Sequence, residues 1–249
     1  MTGRRSRAAN PPGPQTTSAN ERTADLGEPW RVALRMAWQA HGRGNVGVGS
    51  VLTDSTGVIV ATGRNRVLDA EAPSGRLHST YLAHAEMDVL AQLPQGEYPE
   101  HALWSTLEPC LMCASAVVLS HVGAVRYAST DPLWSGIDRL PALNGQVARR
   151  WPVRCGPLPG PVGAFCGLLP LVWSIRQKDD GVVARAYAEH DPALLALGRR
   201  LVGDGTLDQL LGASIEQVLE RLWPELCQVA APVEGTWPGP ESRRDDPRL

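Results

Sequence analysis

The sequence contains no run of roughly 18 apolar residues, so nothing in it reads as a membrane-spanning helix. It has no Gly-X-Y period despite 25 glycines and 21 prolines, which excludes a collagen-like fibre. It also lacks a strong excess of either charge. Formal charge is −2, made of a net +2 over residues 1–27, 0 over 28–175 and −4 over 176–249. A protein that grips a phosphate backbone usually presents a basic stripe, and here only folding could gather Arg64, Arg66 and Arg76 around one opening. Lysine is nearly missing, Lys178 being the single one. The five cysteines, at 110, 113, 155, 166 and 227, are an odd number without the pattern of a disulfide scaffold. No apolar stretch follows the arginines near the N-terminus, so that end does not read as a secretory signal and the expected location is the cytoplasm.

What remains is a chain of 249 residues, 43% hydrophobic and 20% charged, the composition of a globular protein longer than one average domain. The expected organisation is a disordered arm over residues 1–27, a catalytic domain over 28–175, a helical extension over 176–230 and a disordered tail over 231–249. Within the domain, Glu28–Ala40 reads as an amphipathic helix. Residues 46–52 and 57–61 read as a β-hairpin turned at Asp54–Gly57, and 65–81 as a polar loop. Helix 83–93, strand 102–106, helix 110–121 and strand 122–128 follow, with Pro109 placed where a helix starts. That order predicts a three-layer α/β/α sandwich with a mixed central sheet. Residues 131–170 read as a long ordered loop, and 171–176 as a last strand or the start of a helix. Helices are expected over 192–202 and 207–222, with Glu216 and Glu220 on a solvated face.

Three short segments carry chemistry: His84-Ala85-Glu86, Pro109-Cys110-Leu111-Met112-Cys113, and Asn65 at the end of the hairpin. Cysteines at i and i+3 share one helix face, so Cys110 and Cys113 can bind one ion, with neutral His84 as the third ligand. Three protein ligands leave a tetrahedral zinc with one open position, the arrangement of a catalytic rather than a structural site. Water there would be acidified from a pKa of about 15.7 towards 7. Glu86, beside a ligand but not one itself, is placed to take the water proton and pass it to a ring nitrogen and a departing amine. The reaction class is hydrolytic deamination of an amidine-like carbon, as in cytosine, adenine or guanine. A CxxC pair alone could instead be redox-active, and a structural zinc would need a fourth ligand from His78, His101 or His121. His121 lies too far along its helix to reach the same ion easily. Cys155, Cys166 and Cys227 read as inert thiols; Trp134 and Trp151 read as packing residues that could stack on a base.

The stretch TLEPCLMCASAV, with LAHAEM and GRNR before it, resembles the cytidine and deoxycytidylate deaminase superfamily. The likeness is to the branch holding tRNA-specific adenosine, guanine and yeast-type cytosine deaminases, and covers about Trp30 to Tyr127. It implies a cytidine deaminase-like fold, one Zn²⁺ per subunit on His84, Cys110 and Cys113, and Glu86 as proton shuttle. It implies further that Asn65 and the backbone of Ala85 contact substrate, that Asp131 stands in one pocket wall (a simple Asp-Pro turn residue being the alternative reading), and that the protein forms a homodimer or larger oligomer. The sequence departs from the tRNA enzymes at Gly47, where they carry proline, in the longer approach to His84, and in the acidic stretch after the core.

The leading expectation is therefore a zinc-dependent deaminase of a small nucleobase- or nucleoside-like heterocycle. Two alternatives stand beside it: a deaminase acting on tRNA or another nucleic acid, and a non-enzymatic zinc-fold interaction protein. An intact Glu86 argues against the last.

Overall fold

The computed structural model describes residues 26–230. The expected arm, apart from Leu26 and Gly27, and the expected tail lie outside the described residues. Helix α1, Glu28–Gly42, has Pro29 in its first turn and buries Trp30, Ala33, Leu34, Ala37, Trp38 and His41. That spacing of three and four residues gives one continuous apolar stripe. The hairpin follows, with β1 at Gly49–Thr53 and β2 at Ile59–Arg64. Its turn is held by Asp54, whose Oδ1 accepts from the backbone N–H of Thr56 and Val58 at 2.9 and 3.0 Å. Then come α2 (Ala85–Leu90), β3 (Ala102–Ser105), α3 (Leu111–Leu119) and β4 (Ala124–Tyr127).

Strand order in the sheet is β2-β1-β3-β4-β5, with β5 at Val153–Cys155. β1 runs antiparallel to β2 and β3, while β3, β4 and β5 are parallel. One face packs Leu52, Leu103, Val125 and Tyr127 with Val89, Leu90 and Val117 of α2 and α3. The other face places Val51 and Trp104 against α1 and the C-terminal helices. The three-layer sandwich with a mixed sheet is thus the observed fold.

The segment expected to be a loop over 131–170 is corrected by the structure. It holds two 3-10 turns (Pro132–Trp134 and Ile137–Ala142), helix α4 (Gly145–Arg150), strand β5 and most of α5, Gly160–Gln177. Residues 171–176 are the end of that helix, neither a strand nor a helix start. α5 shows no 3.6-residue contrast because it is enclosed nearly all round: Phe165, Leu168, Leu169, Leu171 and Val172 are fully buried. Its internal Pro170 removes one backbone donor, a cost of ~3 kcal/mol that burial of those side chains offsets.

Helices α6 (Val182–His190), α7 (Pro192–Gly203), α8 (Thr206–Gln209) and α9 (Ile215–Val229) complete the described residues. α6 was not expected, and the helix expected over 207–222 is two. Gly212, at φ +94°, ends the first, and a reciprocal capping box between Ser214 and Gln217 starts the second. Glu220 on α9 is exposed and Glu216 half-buried. Leu194, Leu201, Leu219, Leu222 and Leu226 from α7 and α9 share one apolar cluster with Trp30 and Leu34 of α1. Among the described residues no helix is long and apolar enough to cross a membrane.

Candidate metal centre and its pocket

Two helix starts meet at one end of the sheet. His84 is the N-cap of α2 and Cys110 the N-cap of α3, both in extended backbone conformation, and Cys113 lies in the first turn of α3. Gly63 of β2 lets α2 come this close, since a Cβ there would stand 2.6 Å from the Ala85 carbonyl oxygen. His84 Nδ1 is 3.7 Å from Cys110 Sγ and 3.6 Å from Cys113 Sγ. Tetrahedral zinc, with Zn–S of about 2.3 Å and Zn–N of about 2.0 Å, places sulfur and nitrogen about 3.5 Å apart. The donor set and its spacing therefore fit zinc, and His84, Cys110 and Cys113 could hold a metal ion. Neither His78, His101 nor His121 joins the group as a fourth ligand. His121 instead lies 3.3 Å from Glu97, and His101 packs edge-on to Tyr98.

The electrostatics suit a cation. The Cys110 thiol is pulled down to about 4, chiefly by the hydrogen bond from Cys113 and further by His84. Cys113 is held well up by its bond to Cys110 and by burial. A cation between the sulfurs would replace that shared proton. His84 is raised, foremost by its contact with Cys110. Glu86, 4% exposed, is raised by burial; Oε1 accepts from Ser105 Oγ at 3.0 Å and Oε2 lies 3.5 Å from Cys113 Sγ.

A cavity of about 170 Å³ opens over this cluster. His84, Glu86, Cys110, Asn65, Asp131 and Trp134 are all part of its lining. Asn65 is buried, and its Oδ1 accepts from Val67 N–H at 3.2 Å. Asp131 Oδ1 accepts from Leu133 N–H at 3.0 Å, and burial pushes the carboxyl up to about 6. Ala85 is fully buried at the first helical position and is not part of the lining. Trp151 lies elsewhere, in a groove with Leu111, Leu119 and Leu140. Cys155, Cys166 and Cys227 are free thiols remote from the cluster in sequence, and the enclosed Cys166 is pushed up by burial.

The rest of the lining includes residues that the sequence did not single out: Pro170, Trp173 and Ser174 of α5 and Val183 and Tyr187 of α6. Trp173 Nε1 donates to the Gly44 carbonyl at 2.8 Å, and Tyr187 is 4% exposed. Gly47 supplies the clearance for α5: a Cβ there would stand 2.6 Å from Leu169 Cβ. The departure at Gly47 is a local sequence signal of this close approach.

Arg64, Arg66 and Arg76 do not form a basic opening. Arg64 pairs with buried Asp69, Arg66 bridges Asp69 and Asp88, and Arg76 reaches Asp88 and the Thr62 carbonyl. Asn45 Nδ2 also donates to Asp69, at 2.7 Å. The network braces the loop after Asn65 against α2.

Residues 27–129 match the family described as the cytidine and deoxycytidylate deaminase zinc-binding region. The tRNA-specific adenosine deaminase of Aquifex aeolicus is 33% identical over 127 residues, covering 47% of this chain and 78% of that protein. The chain belongs to this deaminase family. A cytosine deaminase of Candida albicans is 30% identical over 92 residues, 36% of this chain and 56% of that protein. A solved structure from work on A-to-I editing by tRNA:A34 deaminases is 26% identical, with a TM-score of 0.45 over 55% of this chain and 97% of that one. In this family member the wall built by α5 and α6 lies beyond the matched segment.

Proposed function

We propose that the protein is a zinc-dependent hydrolytic deaminase of a small amino-substituted heterocycle, of nucleobase or nucleoside type. The observation that carries this reading is the small cavity: about 170 Å³, lined by His84, Cys110 and Glu86 together with residues of α5 and α6. Pockets for drug-sized ligands run to about 300–1,000 Å³, so this one suits a single flat heterocycle. The engagement of Arg64, Arg66 and Arg76 with Asp69 and Asp88 also speaks for a small substrate over a nucleic acid.

Zinc held by His84, Cys110 and Cys113 would supply the Lewis acid that makes water a nucleophile near neutral pH. Glu86 takes a proton from the attacking water at Oε2 and gives it to the ring nitrogen next to the reacting carbon. It then takes the second water proton and delivers it to the exocyclic amine, which leaves as ammonia while a carbonyl forms. Burial raises the affinity of the Glu86 carboxylate for a proton, which favours the step in which it takes one from water. Asn65 has its oxygen engaged by Val67, which leaves Nδ2 to donate to a ring acceptor. The Asp131 carboxyl and the Trp134 ring would meet the edge and face of the base.

The test is ammonia release by zinc-loaded protein on free bases, nucleosides and a tRNA anticodon stem, with Glu86→Ala as the blank. Expected is turnover of a small molecule, little changed between about 50 and 200 mM salt, and a fall of roughly 10²–10⁴-fold in Glu86→Ala with zinc retained. Turnover of the RNA alone, dropping steeply with salt, would overturn the small-substrate reading in favour of a tRNA-type activity. Undiminished turnover in Glu86→Ala would remove Glu86 from the mechanism.

A further inference from the structure

Two serines occupy positions where the sheet is otherwise apolar. Ser50 of β1 and Ser105 of β3 are direct cross-strand partners, and both are fully buried. Residues two apart on a strand share a face, so these serines continue the stripe formed by Leu52 and Leu103 against α2 and α3. The stripe turns polar only where it reaches Glu86.

The hydrogen bonds run one way. Ser50 Oγ donates to Ser105 Oγ at 3.1 Å, and Ser105 Oγ donates to Glu86 Oε1 at 3.0 Å. A hydroxyl has one proton to give, so Ser105, already accepting from Ser50, spends its proton on the carboxylate. Among the described residues these two bonds are the side-chain hydrogen bonds that Ser50 and Ser105 make. Alanines would satisfy packing in the sheet equally well, so packing gives no reason for the hydroxyls. A carboxylate 4% exposed does: without a donor the charge on its buried oxygen is poorly compensated and its rotamer unconstrained.

We propose that Ser105, backed by Ser50, is a positioning residue that fixes Glu86 with Oε1 against the sheet and Oε2 towards His84 and Cys113. Oε2 already lies 3.5 Å from Cys113 Sγ, on the metal side. The inference rests on the reading of Glu86 as the proton carrier. It adds that one carboxylate oxygen is held as an anchor while the other exchanges protons. Ser50 acts only through Ser105, by orienting its hydroxyl.

The experiment compares Ser105→Ala, Ser50→Ala and the double variant in the zinc-loaded full chain. Losing a hydrogen bond to a charged group should lower kcat roughly ten- to hundredfold in Ser105→Ala, with KM and zinc content unchanged. Ser50→Ala should lose less, and its effect should vanish in the Ser105→Ala background. Unchanged kcat in Ser105→Ala, a matching rise in KM or loss of zinc, or a Ser50→Ala effect that persists in that background would each overturn the proposal. If the parent protein turns over nothing, the deaminase reading has failed, and the contact is then read from denaturant unfolding of Ser105→Ala, Glu86→Gln and the pair. Non-additive losses support the anchoring contact; additive losses overturn it.

Discussion

The two sides of the pocket are built by different means. The metal side comes from two helix starts fewer than thirty residues apart, each set by local sequence: His84 before α2, Cys110 and Cys113 at i and i+3 on α3. The second side comes from Trp173, Ser174, Val183 and Tyr187, brought there by packing of α5 on α1 and of α6 on α5, α7 and the Pro132–Trp134 turn. A short motif suffices to assemble reactive groups. Selecting what reaches them takes a wall whose position depends on the whole core.

The most severe way to break this comparison is to remove Val183 and Tyr187 from the second side together with the helices packed behind α5. Deleting residues 176–249 takes away Leu194, Leu201, Leu219, Leu222 and Leu226, all buried in the cluster that contains Trp30 and Leu34. Each fully buried leucine contributes roughly 1.5–3 kcal/mol, and the whole margin of a domain is about 5–15 kcal/mol. The truncated chain should therefore lose its cooperative thermal transition and its zinc together. A truncated protein that stays folded and fully active would mean the helices are an appended module.

A gentler perturbation acts away from the lining, where the end of α1 meets Arg176 of α5 and Asp208 of α8. His41, near the end of α1, stacks on Trp38 with ring centroids 5.2 Å apart, and its Nε2 is buried without a partner. Burial, and then the charge of nearby Arg176, depress its pKa from 6.5 to about 4, while Asp208 acts in the opposite sense. Because the folded value is the lower, the unfolded chain takes up the proton first as pH falls. The residue's contribution is intact above about pH 6.5 and declines down to about pH 4, by about 3 kcal/mol in all. Denaturant unfolding of the parent and His41→Leu between pH 7 and 4 measures it. The parent should lose stability faster than the variant across that window, and parallel curves would show that His41 is not the sensitive point of the joint.

The same division decides what could be read before folding. The grouping of His84, Cys110 and Cys113, with Glu86 beside it, was legible because it rests on spacings of two and three residues. The sandwich was legible because α1, the hairpin and the β3–α3–β4 unit carry strong periodicity and turn residues. α5 was not: it is apolar on nearly every side, and Gly160, Pro161, Gly163, Gly167 and Pro170 punctuate it like a loop. Trp134 and Trp151 looked equivalent in sequence, yet tertiary packing sends one to the cavity and the other to a separate groove. Arg64, Arg66 and Arg76 could be counted as free charges until Asp69 and Asp88 were seen beside them.

The smallest expected effect sharpens the comparison most, because it asks what the second side does while the first stays intact. Trp173 contributes to the cavity wall and is tied through Nε1 to the Gly44 carbonyl, but it touches none of the three candidate ligands by hydrogen bond. Trp173→Ala should leave zinc content and kcat close to the parent and raise KM about tenfold, since contact with the bystander face of a substrate is lost equally in ground and transition states. It should also widen the range of accepted substrates, a nucleoside gaining relative to its free base as the cavity opens. Steady-state kinetics on a base and its nucleoside read both effects. A fall in kcat at constant KM would place Trp173 among the groups that act at the transition state, and the separation between a reactive side and a selecting side would no longer hold.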